Sequence, residues 1–184
     1  MRAIALLRGI NVGGHKIIPM ATLKSIFESA GFKNVATFIQ SGNVLFDTAM
    51  TDLEKLRTKI EKVLVDRLGY EVPTIIRSAE EMKKVITKNP FTEEHVEKKT
   101  KYYVMFLEKK PTKSEQQSVL ATQVKGMDFR FGPCELYCLL DAKFSGNDSP
   151  FSNVKLEKLL HQKGTTRNWA TTTKLAALID SRLE

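Results

Sequence analysis

Apolar residues in the first half of the chain follow strand-like and helix-like spacings in turn. Residues 2–8 (RAIALLR) form an apolar run of strand length, and residues 20–31 then carry apolar side chains at helical spacing. Two further apolar runs, residues 34–40 and 43–48, are divided by the turn-forming pair Ser41-Gly42. The pattern therefore predicts a strand, a helix and a β-hairpin.

A long amphipathic helix and a fourth strand complete this first group. Thr51-x-x-Glu54 has the residue types of a capping box, and Gly69 follows the last apolar helical position as a stop signal. Residues 71–77 (EVPTIIR) then form a strand-like run. The resulting order β-α-β-β-α-β is the split unit of ferredoxin-like folds.

A connecting segment separates the two halves of the chain. Ser78-x-x-Glu81 is a second capping box and predicts a linking helix. The segment 89–100 that follows is polar and is broken by Pro90, which is typical of a boundary. We therefore predict a ferredoxin-like subdomain with its linking helix over residues 1–92, and a second ferredoxin-like subdomain with C-terminal helices over residues 93–184.

The second half repeats the order of elements with one exception. Its predicted elements are a strand at 101–108, a helix that Thr112-x-x-Glu115 opens and that ends near Gly126, strands at 127–131 and 134–140, and a helix from Ser149 (N-cap) and Pro150 to Gly164. No closing strand is predicted, because residues 165–184 have the pattern of a terminal helix. The predicted fold class is α+β, with two tandem ferredoxin-like (split β-α-β) subdomains, mainly antiparallel sheets, and helices at the end of the second.

The composition is that of a soluble globular protein. Of the 184 residues, 42% are hydrophobic and 27% are charged, and no apolar stretch reaches the roughly 18 residues that a membrane span needs. The N-terminus lacks the features of a signal peptide, so we expect a cytoplasmic protein that does not enter a membrane. Cys134 and Cys138 lie on a predicted strand about 13 Å apart, too far for a disulfide, and no spacing suggests a metal site or a cofactor.

The net charge of +8 favours an anionic partner without indicating which one. The excess is spread over both halves, at +5 for residues 1–92 and +3 for residues 93–184. A nucleic-acid-binding surface needs its basic residues on one face, which sequence alone does not establish.

The run LLRGINVGGHK at residues 6–16 combines glycines with basic residues. Its glycines stand at 9, 13 and 14, which does not match the dinucleotide-binding pattern. A P-loop is also disfavoured, because His15 and Lys16 stand where the lysine and the hydroxyl residue belong. Two interpretations stay open: an anion-binding loop, in which Gly13 and Gly14 expose backbone N–H groups beside Arg8 and Asn11, and a simple connection that needs positive φ angles.

Two other polar stretches are candidates for the same site. Ser41 and Asn43 lie in the predicted hairpin turn, which explains them without a ligand. Thr165, Thr166 and Arg167 stand at the predicted entrance to the terminal helix, where free N–H groups, hydroxyls and a guanidinium suit a phosphate or carboxylate. Capping and core packing explain this second stretch equally well.

Four motifs, met in the order LLRGINVGG, IQSGNV, FSNVKLEKLL and TTRNW-x-T-x-x-KL, resemble the bacterial family called domain of unknown function 1697. The resemblance runs from residue 3 to about residue 178 and implies paired ferredoxin-like α+β subdomains, but no activity. His15 replaces the lysine associated with the pattern. The matching positions are Arg8, Gly9, Asn11, Gly13, Gly14, Gln40, Ser41, Gly42, Asn43, Ser152, Lys155, Glu157, Thr165, Thr166, Arg167, Asn168, Trp169 and Lys174.

These motif positions are mostly polar or glycine and come from both halves, which supports the hypothesis of a shared pocket. We expect a cleft between the subdomains to bind an anionic small molecule, phosphate-bearing or nucleotide-like, with Arg8, Lys155 and Arg167 among its contacts. A nucleic-acid-binding module is the alternative, because six aromatic residues lie on predicted strands: Tyr102, Tyr103, Phe106, Phe129, Phe131 and Tyr137. A protein-interaction or regulatory module without a ligand is also left open, and no residue pattern identifies a catalytic group or an oligomeric state.

Overall fold

The structure is a computed structural model that describes residues 1–12, 14, 16–91, 100–144 and 152–181. The chain forms two compact units. Unit 1 comprises Met1–Lys83 with Leu175–Glu184, and unit 2 comprises Lys84–Lys174. These limits differ from the predicted division after residue 92, because the boundary falls within a helix and the last segment returns to unit 1.

In unit 1 the elements follow the predicted order. They are β1 (Arg2–Leu7), α1 (Met20–Ser29), β2 (Lys33–Phe38), β3 (Asn43–Asp47), α2 (Leu53–Leu68), β4 (Thr74–Ser78) and the start of α3 (Ala79–Thr87). The sheet has the strand order β2-β3-β1-β4, and all its neighbours are antiparallel. Strand β1 is central and pairs with β3 on one side and β4 on the other.

Unit 2 repeats this order with its own sheet. Its strands and helices are β5 (Thr100–Leu107), α4 (Lys113–Leu120), β6 (Met127–Phe131), β7 (Glu135–Asp141), α5 (Asn153–Leu160) and β8 (Gly164–Asn168). The last helix, α6 (Trp169–Asp180), belongs to unit 2 in its first half and to unit 1 in its second half. The strand order β6-β7-β5-β8 is the same as in unit 1, and all neighbours are again antiparallel. The predicted tandem of two split β-α-β units is therefore confirmed.

The ladders show which residues correspond between the two units. In unit 1, Ala3 is paired with Ser78, and in unit 2 Tyr103 is paired with Asn168. The pairs Arg2–Asp47 and Tyr102–Leu139 correspond in the same way. Helix α3 follows β4 directly and helix α6 follows β8 directly, so Ala79 corresponds to Trp169. We call such positions repeat-equivalent.

The prediction that unit 2 lacks a closing strand is wrong. Residues 164–168 form β8, which pairs with β5 at the edge of the sheet. Consecutive threonines favour extended backbone, because their β-branched side chains are restricted in a helix. Gly164 opens this strand rather than ending a helix, and a Cβ there would come within 3.1 Å of the Phe106 carbonyl oxygen. Helix α5 instead ends at Leu160, and the C-cap residue His161 has a left-handed backbone.

Each unit buries an apolar core between its sheet and its helices. In unit 1, the rings of Phe27, Phe32 and Phe46 lie 4.7–5.7 Å apart at the centre of that core. In unit 2, the corresponding core includes Met105, Leu107, Val119, Phe129, Leu136, Cys138, Leu140, Leu156 and Leu160. The opposite faces of both sheets are also buried, since Ile4, Leu6, Leu45, Val104, Phe106 and Tyr137 are at most 2% exposed.

Two of the predicted capping boxes are present and one is displaced. Ser78 and Glu81 exchange reciprocal backbone–side-chain hydrogen bonds, and Thr112 and Glu115 do the same. At the start of α2, however, Asp52 rather than Thr51 is the N-cap, since its carboxylate accepts hydrogen bonds from the backbone N–H groups of Glu54 and Lys55. The predicted cap Ser149 and the following Pro150 lie outside the described residues.

The corrected cap is tested by comparing variants at neighbouring positions. We expect Asp52→Ala to lower the urea midpoint of unfolding by a few tenths of a molar unit, because two backbone N–H groups lose their acceptor. Thr51→Ala leaves the midpoint unchanged, and Asp52→Asn retains most of the stability, because asparagine also caps well. A larger effect of Thr51→Ala than of Asp52→Ala would contradict the assignment.

The same cap has a pH dependence. Hydrogen bonds from the backbone, chiefly from Lys55, hold the pKa of Asp52 below its ordinary value of 3.8. A carboxylate with a lowered pKa in the folded state contributes stability above its unfolded pKa and loses it as the pH falls through the folded one. The difference in urea midpoint between the wild type and Asp52→Ala is therefore expected to shrink below about pH 4.

Candidate functional site

The glycine loop joins β1 to α1 and spans residues 8–19. Hydrogen bonds from Leu7 N to the Gly42 carbonyl and from Arg8 N to the Pro73 carbonyl fix its first residues to the neighbouring strand ends. The described part of the loop has left-handed backbone at Gly9 (φ +70°), Asn11 (+53°), Gly14 (+78°) and Lys16 (+49°). Gly13 and His15 lie outside the described residues.

Asn11 holds the loop together. Its Oδ1 accepts a hydrogen bond from Ile18 N at 2.7 Å, and its Nδ2 donates to the carbonyl oxygens of Ile18 at 3.1 Å and Gln40 at 2.8 Å. Its backbone N–H also donates to the Lys16 carbonyl at 3.2 Å. These bonds join the two ends of the loop to the β2–β3 hairpin, so the Asn11 side chain has a structural role.

The two basic side chains of the loop have different surroundings. Lys16 Nζ donates to the Glu71 carbonyl at 3.0 Å and lies 4.8 Å from the centre of the Tyr70 ring. Lys16 is therefore held by the protein itself. Arg8 is half-buried at the base of the loop, beside the exposed Gly9.

The hairpin turn explains its own polar residues. Asn43 is fully buried, and its Nδ2 donates to the Phe38 carbonyl at 2.9 Å and to Ser41 Oγ at 3.0 Å. A Cβ at Gly42 would lie within 3 Å of side-chain atoms of Ile10 and Leu7, so only glycine fits between the hairpin and the loop. Ser41 and Asn43 thus stabilise the turn on which the glycine loop rests.

The stretch Thr165-Thr166-Arg167 does not form a helix entrance with free N–H groups, contrary to the prediction. It lies in β8, where Thr165 and Thr166 pair with Phe106 and Met105. The helix entrance is one residue further on, where the side chain of Asn168 accepts a hydrogen bond from Thr171 N at 2.7 Å and caps α6. The backbone of Thr165 and Thr166 is therefore engaged in the sheet.

Arg167 is a buried residue of β8. It is 7% exposed, and its Nη1 donates to Thr165 Oγ1 at 2.8 Å and to the Thr166 carbonyl at 3.0 Å. Burial disfavours the charged guanidinium and lowers the pKa of Arg167 to about 10. The side chain thus orders its own strand.

The structure brings part of the predicted site together. Arg8, Asn11, Gly14, Ser41 and Asn43 lie at one end of the unit 1 sheet, linked through the bond from Asn11 to Gln40. Thr165, Thr166 and Arg167 lie in β8 of unit 2, and Lys155 is exposed on α5 of that unit. The pairing of the two sets in one cleft stays a prediction.

Sequence reasoning missed two features. The first is Arg77 in β4, which is repeat-equivalent to Arg167, is 5% exposed and donates to the Ile76 carbonyl at 2.9 Å. The second is a cavity at the other end of β1, lined by Arg2, Asp47 and Ala79 among others. Neither has a sequence motif, because the burial of Arg77 and the lining of the cavity both depend on contacts between elements that are distant in sequence.

The aromatic residues that suggested nucleic-acid binding are mostly buried. Tyr102, Phe106, Phe129 and Tyr137 are at most 7% exposed. Bases stack on exposed rings, so these four side chains give no support to an RNA-binding face. Nucleic-acid binding by other surfaces stays untested.

Metal, disulfide and membrane chemistry have no support within the described part of the chain. There, no three side chains of histidine, cysteine, aspartate or glutamate are placed to hold a metal ion. Neither Cys134 nor Cys138 takes part in a disulfide among the described residues, and burial raises the pKa of Cys138. None of the described helices has the length and the apolar character needed to cross a membrane.

The fold and the motifs define a protein of two tandem split β-α-β units with a glycine loop after the first strand. Residues 1–137 match the family model described as "Protein of unknown function (DUF1697)", and the chain belongs to this family. The motifs around Ser152–Lys155 and Thr165–Trp169 lie beyond the matched residues.

A solved structure supports the same fold over the whole chain. The conserved bacterial protein SP0830 from Streptococcus pneumoniae is 21% identical, with a TM-score of 0.74, and the match covers 97% of this chain and 98% of that one. At this identity the likeness concerns the fold alone. No curated protein matches the chain.

The structural role of Arg167 predicts the effect of a conservative substitution. We expect Arg167→Lys to destabilise the protein by about 1–3 kcal/mol, because a lysine cannot reproduce the forked donors of a guanidinium in a buried place. The control Lys155→Gln, at an exposed position, changes the free energy of unfolding by less than about 0.5 kcal/mol. Urea denaturation measures both. Unchanged stability of Arg167→Lys would contradict the structural role.

Proposed function

We propose that the protein binds an anionic small molecule that carries a phosphate group, and that the glycine loop of unit 1 supplies the backbone donors. One observation carries the proposal: the left-handed positions Gly9, Asn11, Gly14 and Lys16 occur within eight residues of an exposed loop. A backbone that alternates between conformations of opposite hand turns successive N–H groups toward one side and forms a concave anion-binding nest.

The left-handed backbone of the loop has a cost in conformational free energy. Left-handed backbone costs roughly 1 kcal/mol or more in a residue with a side chain, and Asn11 and Lys16 both adopt it. Strain of this kind persists where surrounding contacts enforce it, here the four hydrogen bonds of Asn11. Such strain is often found at functional sites.

The glycines leave the backbone accessible. Apart from the immediate chain neighbours, no described atom lies within 4 Å of a Cβ built at Gly9 or Gly14, so contacts with the described residues do not require glycine at either position. A glycine there supplies the positive φ and leaves room for a ligand beside the main chain. The half-buried Arg8 beside Gly9 adds a positive charge at the base of the loop, which suits a phosphate.

The proposal is tested by titrating inorganic phosphate and adenosine monophosphate into the protein by calorimetry, with sodium chloride at matched ionic strength and adenosine as controls. We expect saturable binding of both phosphate compounds and none of the controls. Arg8→Gln is expected to weaken binding about tenfold, the effect of losing one charge-assisted hydrogen bond. Gly14→Ala is expected to weaken binding as well, because a side chain disfavours the left-handed backbone at this position.

A matched glycine variant separates loss of binding from loss of stability. Gly31 follows the end of α1 with φ +88°, an angle close to that of Gly14, and a Cβ built there meets no described atom within 4 Å. Gly31→Ala therefore brings a similar backbone strain at the end of α1 away from the loop and is expected to leave phosphate binding unchanged. Equal loss of binding in both variants, or no phosphate binding by the wild type, would overturn the proposal.

A further inference from the structure

A cavity of about 770 Å³ lies in unit 1 at the end of β1 opposite the glycine loop. The strand residues Arg2 and Asp47, the first residues of α3 and the last residue of α6, Asp180, form its walls. This volume falls within the range of about 300–1,000 Å³ that is typical of small-molecule sites.

Unit 2 shows what occupies the repeat-equivalent place there. Tyr102 and Leu139 stand where unit 1 has Arg2 and Asp47, and Trp169 stands where unit 1 has Ala79. The rings of Tyr102 and Trp169 are stacked, with centroids 4.6 Å apart and planes inclined by 16°. Phe91 packs its edge against Tyr102 from the other side, at 5.5 Å.

The repeat-equivalent residues of unit 1 do not fill the corresponding space with rings. Ala79 has a single side-chain carbon in place of an indole, and the other two positions carry charged groups instead of a ring and an isobutyl group. The space in unit 1 that corresponds to the position of the Trp169 indole in unit 2 is thus part of the cavity.

Arg2 and Asp47 form a charged pair in the cavity, and one oxygen of the Asp47 carboxylate lacks a hydrogen bond from the described residues. Asp47 Oδ2 accepts a hydrogen bond from Asn34 at 2.7 Å, while the buried Oδ1 has no hydrogen-bond partner among the described residues. Arg2 Nε lies 4.0 Å from this oxygen, beyond hydrogen-bond distance. A buried acceptor left in this way favours a ligand that brings a donor.

Hydrogen bonds to the end of α6 hold the guanidinium of Arg2 in place. Its Nη1 lies 3.4 and 3.5 Å from the carbonyl oxygens of Ile179 and Asp180 near the end of α6. A guanidinium that is fixed in this way offers a flat face, and arginine stacks well on planar rings.

The charges around the cavity are of both signs. Among the side chains that line it, those of Asp47, Glu80 and Asp180 are acidic, whereas those of Arg2 and Lys83 are basic. A balanced lining of this kind does not select for an anion, so this cavity differs in character from the glycine loop.

We propose that the cavity binds a small, uncharged planar ring that carries an N–H donor. The ring lies against the Arg2 guanidinium, in the space that the Trp169 indole takes in unit 2, and its N–H donates to Asp47 Oδ1. This site is independent of the phosphate site, because the two lie at opposite ends of β1.

Indole and 1-methylindole are suitable probes, since they differ only at the ring nitrogen, which carries a hydrogen in the first and a methyl group in the second. Two-dimensional NMR of the ¹⁵N-labelled protein, titrated with each compound, gives both the dissociation constant and the location. We expect indole to bind at roughly millimolar concentration or below and to shift resonances around Arg2 and Ala79, and 1-methylindole to bind about tenfold more weakly.

Three variants test the residues. Asp47→Leu, which copies the residue of unit 2, is expected to weaken indole about tenfold and to leave 1-methylindole unchanged. Ala79→Trp is expected to abolish binding of both compounds, because its side chain fills the cavity. Ala170→Trp, which adds a tryptophan at an exposed position of α6, retains wild-type binding.

The alternative outcomes are distinct. Indole shifts that lie elsewhere, or equal affinity for indole and 1-methylindole in the wild type, would overturn the proposal. Folding of each variant is checked by circular dichroism, and Ala79→Leu, a smaller filling, is expected to weaken indole if Ala79→Trp does not fold. Unchanged indole binding by a folded Ala79→Trp or Ala79→Leu also overturns it.

Discussion

The antiparallel register of the central strand β1 is the constraint on which the features of unit 1 depend. Both of its edges are hydrogen-bonded, to β3 and to β4, so the strand cannot shift by one residue without moving its apolar side chains to the opposite face. Residues 3–7 are at most 1% exposed, so such a shift would draw the charged side chain of Arg2 or Arg8 into a fully buried position. The same register sets Arg2 directly across from Asp47 at one end and places the glycine loop at the other.

Duplication of the split β-α-β unit provides a comparison within one molecule. Backbone pairing is the same in both sheets, yet the side chains at equivalent positions have diverged in chemistry. Arginines are retained at 77 and 167 and are buried in both units, where each donates to its own strand. At the Arg2 end, by contrast, one unit has charged residues and an alanine, and the other has stacked rings. The shared buried arginine meets the same local need in both strands, whereas the residues at the Arg2 end differ in chemistry between the two units.

Periodicity predicted most of the fold because long apolar runs and strong caps are local signals. The strands and helices of unit 1 and the capping boxes at Ser78 and Thr112 all came from such patterns. Strand β8 was missed because it has only five residues, contains no apolar side chain, and runs into α6 without a linker. Its extended form comes from pairing with β5, a tertiary contact that no short window contains. For the candidate site, sequence identified the loop and hairpin residues, but the hydrogen bonds of Asn11 and the burial of Arg167 depend on contacts between elements distant in sequence.

The stack of Trp169 on Tyr102 has a spectroscopic consequence. Trp169 is the only tryptophan of the chain, and it lies in unit 2. Tryptophan emission therefore reports on the ring cluster of that unit, whereas the sheet of unit 1 contains no tryptophan. Comparison of the fluorescence transition with the far-ultraviolet circular dichroism transition, to which both units contribute, reveals whether the two units unfold together or one after the other.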